Sequence, residues 1–208
     1  MSHDHEHSHD HAHGHSHQHS HEHEGERAWT GETARWYAER YGDWPTHALT
    51  VPRLGLKGGE VLLDVGCGTG SLLRQALPSL GQGRAIGVDL VPEMLEIARS
   101  QTQDQRITYL QGPAEALPLE GASVDLAITV NSLHHFADPG AGLLEMKRVL
   151  RPGGRLLVVT DEEMYDMLNW SNGRVRDLLT AAGLRRVRQD SAHQGSVVAN
   201  LLFAHKPE

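Results

Sequence analysis

A single cysteine, Cys67, is all that the 208 residues contain. An intramolecular disulfide framework is therefore excluded, and a reducing compartment is the natural setting. No apolar run approaches the ~18 residues that a membrane-spanning helix needs. The first residues also lack the cationic and apolar regions of a secretory signal, so a cytoplasmic location is expected. Lys and Arg are missing from residues 1–26, where Asp4, Glu6, Asp10, Glu22, Glu24 and Glu26 supply six of the eight excess negative charges. The remaining −2 gives no basic surface with which to displace counterions from phosphates, and nucleic acid is not expected as a partner. Aromatic residues make up only 5% of the chain, yet Trp29, Trp36, Tyr37, Tyr41 and Trp44 crowd into one short stretch.

What is present suits one soluble domain plus a tail, since 38% of the residues are hydrophobic and domains typically hold roughly 100–200 residues. The tail, residues 1–26, places histidine at every odd position: His3, His5, His7, His9, His11, His13, His15, His17, His19, His21 and His23. It offers almost no apolar surface to offset the ~1–2 kcal/mol per residue that backbone ordering costs, so it is expected to be disordered. Alternate residues of an extended ribbon share a side, which lets imidazoles gather around one ion. The tail is expected to bind Zn²⁺, Ni²⁺, Co²⁺ or Cu²⁺, the choice being left open, and no catalytic metal is expected. An expression tag is the bland alternative.

Residues 27–56 read as one or two helices capping the core. After Lys57-Gly58-Gly59 the text alternates: VLLDV, a helix from Ser71, AIGVDL, a helix from Pro92, ITYLQG, VDLAITV, a helix before Arg151, and RLLVVT. The strands are continuous apolar runs, as in a parallel sheet covered by helices on both faces. A loop rich in Asp161, Glu162 and Glu163 is expected next, then a helix near Arg174 to Ala182. Strands near Val187 to Asp190 and Val197 to Ala204 would pair antiparallel at one edge. The predicted class is α/β: a Rossmann-like, doubly wound, seven-stranded, mostly parallel sheet with an antiparallel last strand.

Strand VLLDV runs into Asp64-Val65-Gly66-Cys67-Gly68-Thr69-Gly70, and AIGVDL places Asp89 nineteen residues beyond Gly70. Glycines allow a tight turn close to a ligand, and a carboxylate ending the second strand can accept both ribose hydroxyls. A dinucleotide fingerprint starting at Gly66 would need Gly or Ala where Ser71 stands. Asp64, a fixed anion just before the loop, would repel a diphosphate but suits a ligand carrying an ammonium and a sulfonium. S-adenosyl-L-methionine is the cofactor that combines adenosine with those cations.

From about Tyr37 to Ala204 the sequence resembles class I methyltransferases, especially the small-molecule branch that includes the ubiquinone and menaquinone biosynthesis methyltransferases. The blocks that carry the likeness are AERY at 38–41, VLLDVGCGTG at 61–70, GVDLVPEML at 87–95, GPAEALPL at 112–119, NSLHHF at 131–136 and MKRVLRPGG at 146–154. The resemblance implies that Gly66, Cys67, Gly68 and Gly70 form the loop around the methionine portion, with Asp64 ordering its ammonium. It further implies Asp89 on the ribose, Leu90 beside the adenine, Ala114 and Glu115 at the adenine edge, Asn131 facing the ammonium by its carbonyl, and Tyr41 near the cofactor.

Methyl transfer from a sulfonium is an in-line displacement, so alignment and water exclusion are the main requirements, and a base is needed only if the acceptor must lose a proton. His134 and His135 follow the strand end where an acceptor should enter and are the candidate bases, with Ser132 and Tyr165 as weaker ones. Trp36, Tyr37, Trp44 and Met164 are candidates for an apolar wall against a small planar or lipophilic acceptor. The molecule is expected to be a monomer or homodimer. Two alternatives stand beside this reading: a non-enzymatic metal store using the core as scaffold, and a nucleotide-dependent oxidoreductase, which Asp64 and Ser71 oppose.

Overall fold

The structure, a computed structural model, describes residues 31–208. The His-rich segment and Trp29 lie outside the described residues. Two helices come first, α1 (Gly31–Tyr41) and α2 (Pro45–Thr50), followed by a short 3-10 turn at Val51–Arg53. Five strands and three helices then alternate: β1 (Val61–Val65), α3 (Ser71–Leu80), β2 (Arg84–Asp89), α4 (Pro92–Gln101), β3 (Ile107–Gln111), β4 (Val124–Val130), α5 (Pro139–Val149) and β5 (Leu150–Asp161). The chain closes with α6 (Glu162–Leu168), α7 (Asn172–Ala181), β6 (Arg185–Gln194) and β7 (Val197–His205).

The seven strands lie in the order β3-β2-β1-β4-β5-β7-β6. The first five are parallel, whereas β7 runs antiparallel between β5 and β6. The doubly wound, mostly parallel sheet expected from the apolar runs is thus present, and its strand order reverses between β1 and β4. In open sheets of this kind ligands bind outside the carboxyl ends of the strands, at that reversal.

Alternation along β1 sends its side chains into two cores. Val61, Leu63 and Val65 pack with Leu143, Met146 and Val149 of α5 and Val175 and Leu179 of α7. Leu62 packs on the other face with Leu72, Leu73, Ala76 and Leu80 of α3 and Leu95 and Ala98 of α4. Period-two geometry gives Asp64 the same side as Leu62. A third, smaller cluster of Ala34, Val91 and Met94, with Tyr37 against it, seats α1 on α4.

Two local readings need revision. Residues 162–168 form helix α6 where an acidic loop was expected: Glu162 and Glu163 occupy its first turn, where the helix dipole favours anions, and Tyr165 is buried beneath it. Asn169, in the left-handed conformation at φ 52°, ends the helix. The segment Arg151-Pro152-Gly153-Gly154 opens β5 instead of preceding it. Val124 pairs with Leu150 and Leu126 with Arg155, so these turn-forming residues bulge out of the ladder between two paired stretches. Among the described residues no helix is long and apolar enough to cross a membrane.

Candidate cofactor and acceptor site

The carboxyl end of β1 turns sharply under the end of β2: the N–H groups of Gly66 and Cys67 both donate to the Val88 carbonyl, at 2.8 and 3.1 Å. Gly66 has φ +74°, and a Cβ there would stand 2.5 Å from that of Ser132. A larger residue is therefore barred both by backbone strain and by the neighbouring strand end. At Gly68, with φ +50°, a Cβ would meet nothing within 4 Å, so the loop presents bare backbone to open space.

Two carboxyl groups flank this loop. Asp64 is 3% exposed, and its Oδ1 is buried without a hydrogen-bond partner. Burial, and secondarily the charge of Asp89, push its carboxyl up to about 8. Asp89 is half-buried at the end of β2; its Oδ2 accepts from the Gly68 N–H at 2.8 Å and its Oδ1 from the Val91 N–H at 2.9 Å. Burial raises Asp89 above the usual carboxylate range, and the N–H groups of Val91, Gly68 and Leu90 oppose that rise. Asp89 thus fixes the glycine loop as well as standing where a ribose is expected. Leu90 follows it at 62% exposure, its side chain unused by the core.

The other expected positions sit around the same strand ends. Ala114 is buried in a 3-10 turn after β3, and the neighbouring Glu115 accepts the Asp138 N–H at 3.0 Å, anchoring the start of α5. Asn131, just past β4 at φ +50°, commits its side-chain amide to Asp161. That amide oxygen already receives the Asp161 N–H at 2.8 Å. Ser132 Oγ lies 3.0 Å from the carbonyls of both Gly66 and Val130, which ties up its proton.

His134 and His135 occupy a 3-10 turn, their rings 4.0 Å apart. Burial, with His135 beside it, pushes His134 down to about 3, and its Nε2 is buried without a partner. His135 is exposed. Tyr165 lies in the main apolar core, and Cys67 is buried with its thiol pushed well above the usual range, first by burial and then by Asp64. That thiol stays protonated and serves packing.

Tyr41 lies at the centre of an aromatic group, with ring centroids 4.9 Å from Tyr37, 5.2 Å from Trp44 and 6.0 Å from Trp36. The α1–α2 turn is bound to the glycine loop: Thr69 Oγ1 donates to the Gly42 carbonyl at 3.3 Å, and Ser71 Oγ to Asp43 Oδ1 at 2.6 Å. Sequence reasoning missed Asp43, Thr46 and Asp161 as site-forming residues. Asp161 ends an apolar strand just as Asp89 does, and that was the available signal.

Residues 63–158 match the family described as "Methyltransferase domain". The chain is 36% identical over 116 residues to the ubiquinone/menaquinone biosynthesis C-methyltransferase UbiE of Hahella chejuensis, covering 53% of this chain and 47% of that protein. It is 44% identical over 116 residues to a 37.1 kDa protein in transposon TN4556 of Streptomyces fradiae, covering 53% and 33% respectively. A crystal structure of a SAM-dependent methyltransferase from Aquifex aeolicus superimposes with a TM-score of 0.71 at 22% identity, over 86% of this chain and all of that one. Residues 63–158 are thus similar to methyltransferase domains, and the fold is shared with the Aquifex aeolicus structure. The chain spans half or less of the length of these curated relatives.

The cleft would fit S-adenosylmethionine on the chemistry of its own residues. An orphaned, buried carboxyl oxygen needs a donor or a cation, and Asp64 Oδ1 is such an atom at the edge of the glycine loop. Among the described residues no cluster of three or more His, Cys, Asp or Glu is arranged to hold a metal.

Proposed function

We propose that this protein transfers a methyl group to a small-molecule acceptor, with residues 27–208 as the catalytic domain, 27–56 as its helical cap and 1–26 as a metal-binding tail. The observation that carries the reading is the unpartnered oxygen of Asp64 beside the bare backbone of Gly68. Bound S-adenosylmethionine supplies an electrophilic methyl on a sulfonium. Asp64 meets the ammonium of the methionine portion, Gly66, Cys67, Gly68 and Gly70 line it, and Asp89 accepts from the ribose hydroxyls. Leu90 covers the adenine, whose edge Ala114 and Glu115 read. Asn131 contributes through its backbone carbonyl, because its side chain is engaged with Asp161.

On the acceptor side, Tyr41 and its neighbouring rings exclude water and offer flat apolar surface to a planar or lipophilic molecule. The two histidines divide the remaining work. A ring held near 3 binds a proton weakly, so His134 acts as a neutral hydrogen-bonding group, and exposed His135 takes the acceptor's proton where one must leave. A UbiE protein being among the relatives supports an acceptor of small-molecule type.

Calorimetric titration of the full chain with S-adenosylmethionine, and separately with NADH, tests the reading. Binding of the first and not the second is expected. NADH binding with no response to S-adenosylmethionine would refute it. The alternation of histidines through residues 1–26 supports the tail's part, and titration with Ni²⁺ and Zn²⁺ before and after removal of those residues tests it.

A further inference from the structure

The turn between α1 and α2 is fastened on both sides of the cleft. Its Gly42 and Asp43 hold the glycine loop through Thr69 and Ser71. Its other end reaches the strand termini opposite: Trp44 Nε1 donates to Asp161 Oδ2 at 2.7 Å, and the buried Thr46 hydroxyl donates to Asp161 Oδ1. Asp161 is 6% exposed and also accepts from Asn131 Nδ2 at 2.8 Å. A buried carboxylate is costly unless its oxygens are satisfied, and here three donors from two distant segments satisfy it. Two of those donors belong to the cover and one to the end of β4. The bonds from Trp44 and Thr46 therefore exist only while the cover is seated.

We propose that Asp161 is a positioning residue that latches the helical cover, residues 31–50, over the cleft, and that the Gly42–Trp44 turn links the cover to the donor cradle. The inference rests on the methyltransferase reading of that cradle. Ordering the glycine loop around a ligand orders Thr69 and Ser71, and through them the turn. Seating the turn returns Trp44 and Thr46 to Asp161. Donor binding and closure of the aromatic wall are thereby coupled, so that the acceptor side is complete only when the donor is in place.

The experiment is amide hydrogen exchange on the full chain, with and without S-adenosylhomocysteine, paired with calorimetry of the same ligand. Asp161→Asn keeps the side-chain size but turns one acceptor into a donor facing donors. It is expected to speed exchange across 31–50 by about tenfold while β1 and β4 stay protected. It is also expected to weaken S-adenosylhomocysteine binding by about fivefold to tenfold, the loss of roughly one hydrogen bond.

In the native chain the ligand slows exchange of 31–50; in Asp161→Asn that slowing is lost, a change that mere loss of stability does not produce. Trp44→Phe moves both readings the same way, and the double variant goes no further than Asp161→Asn. Should Asp161→Asn fail to fold, Trp44→Phe combined with Thr46→Val removes the same two bonds from the cover's side. Native-like exchange across 31–50 in the variants, or equal ligand protection in native and variant chains, overturns the proposal. Failure of the native chain to bind S-adenosylhomocysteine sinks the methyltransferase reading instead, and the ligand-free exchange still decides whether Asp161 holds the cover.

Discussion

Asp89 helps keep the proton on Asp64: the two carboxyls close the ends of adjacent strands, and the charge of the first adds to burial in raising the second to about 8. Near neutral pH Asp64 in the free cradle is thus largely protonated. A cation arriving at Asp64 favours its ionised form, so it displaces that proton. Donor binding is expected to release a proton and to tighten as pH rises from 6 towards 8, by up to about tenfold per unit. Calorimetry in buffers of different ionisation enthalpy reads the release directly, and pH-independent affinity would contradict it.

The same group bears on stability, with the opposite sense. Asp64 titrates near 3.8 when unfolded and about 8 when folded, so between those values the native state binds more protons and loses stability as pH rises. Asp64→Asn has no such dependence. Thermal midpoints of the ligand-free proteins should diverge in favour of the variant from pH 5 upward and run parallel above pH 8. The variant should meanwhile bind S-adenosylmethionine more weakly.

Asp89→Ala removes the acceptor of the Gly68 and Val91 N–H groups along with the expected ribose contacts. Each bond to a charged acceptor contributes about 1.5–3 kcal/mol, so affinity for S-adenosylhomocysteine should fall at least tenfold. A smaller loss would remove the ribose assignment.

For an acceptor that must lose a proton, His135→Gln should lower turnover by about 10²-fold or more. His134→Gln should leave the shape of the pH profile between 5 and 9 unchanged, since His134 is neutral throughout that range. Methylation rates on a panel of phenols and hydroquinones check both. An inflection near pH 6.5 that vanishes in His134→Gln would reverse the assignment.

Ni²⁺ or Zn²⁺ affinity attributed to residues 1–26 should fade below about pH 6 as imidazoles protonate. Removing those residues should abolish it and leave S-adenosylmethionine affinity unchanged. Metal titrations at pH 5.5 and 7.5 on both chain lengths read this.

The sheet was legible because VLLDV, VDLAITV and RLLVVT are buried on both faces and have no other use for so many apolar residues. The glycine loop was legible because Gly66, Gly68 and Asp89 lie close in sequence and each has one physical task. Helix α6 was not, because its seven residues carry three acids, and what holds it is Tyr165 entering the core. Asp161 was legible only in part: it ends an apolar strand as Asp89 does, but its partner Trp44 lies 117 positions earlier.

The most direct measurement is a crystal structure of the full chain soaked in S-adenosylhomocysteine. Its ammonium is expected within hydrogen-bonding distance of Asp64, directly or through one water, and its ribose hydroxyls on Asp89. An empty cradle after soaking at saturating ligand, or a ligand phosphate seated over Gly66–Gly70 when NADH is soaked instead, would contradict that expectation.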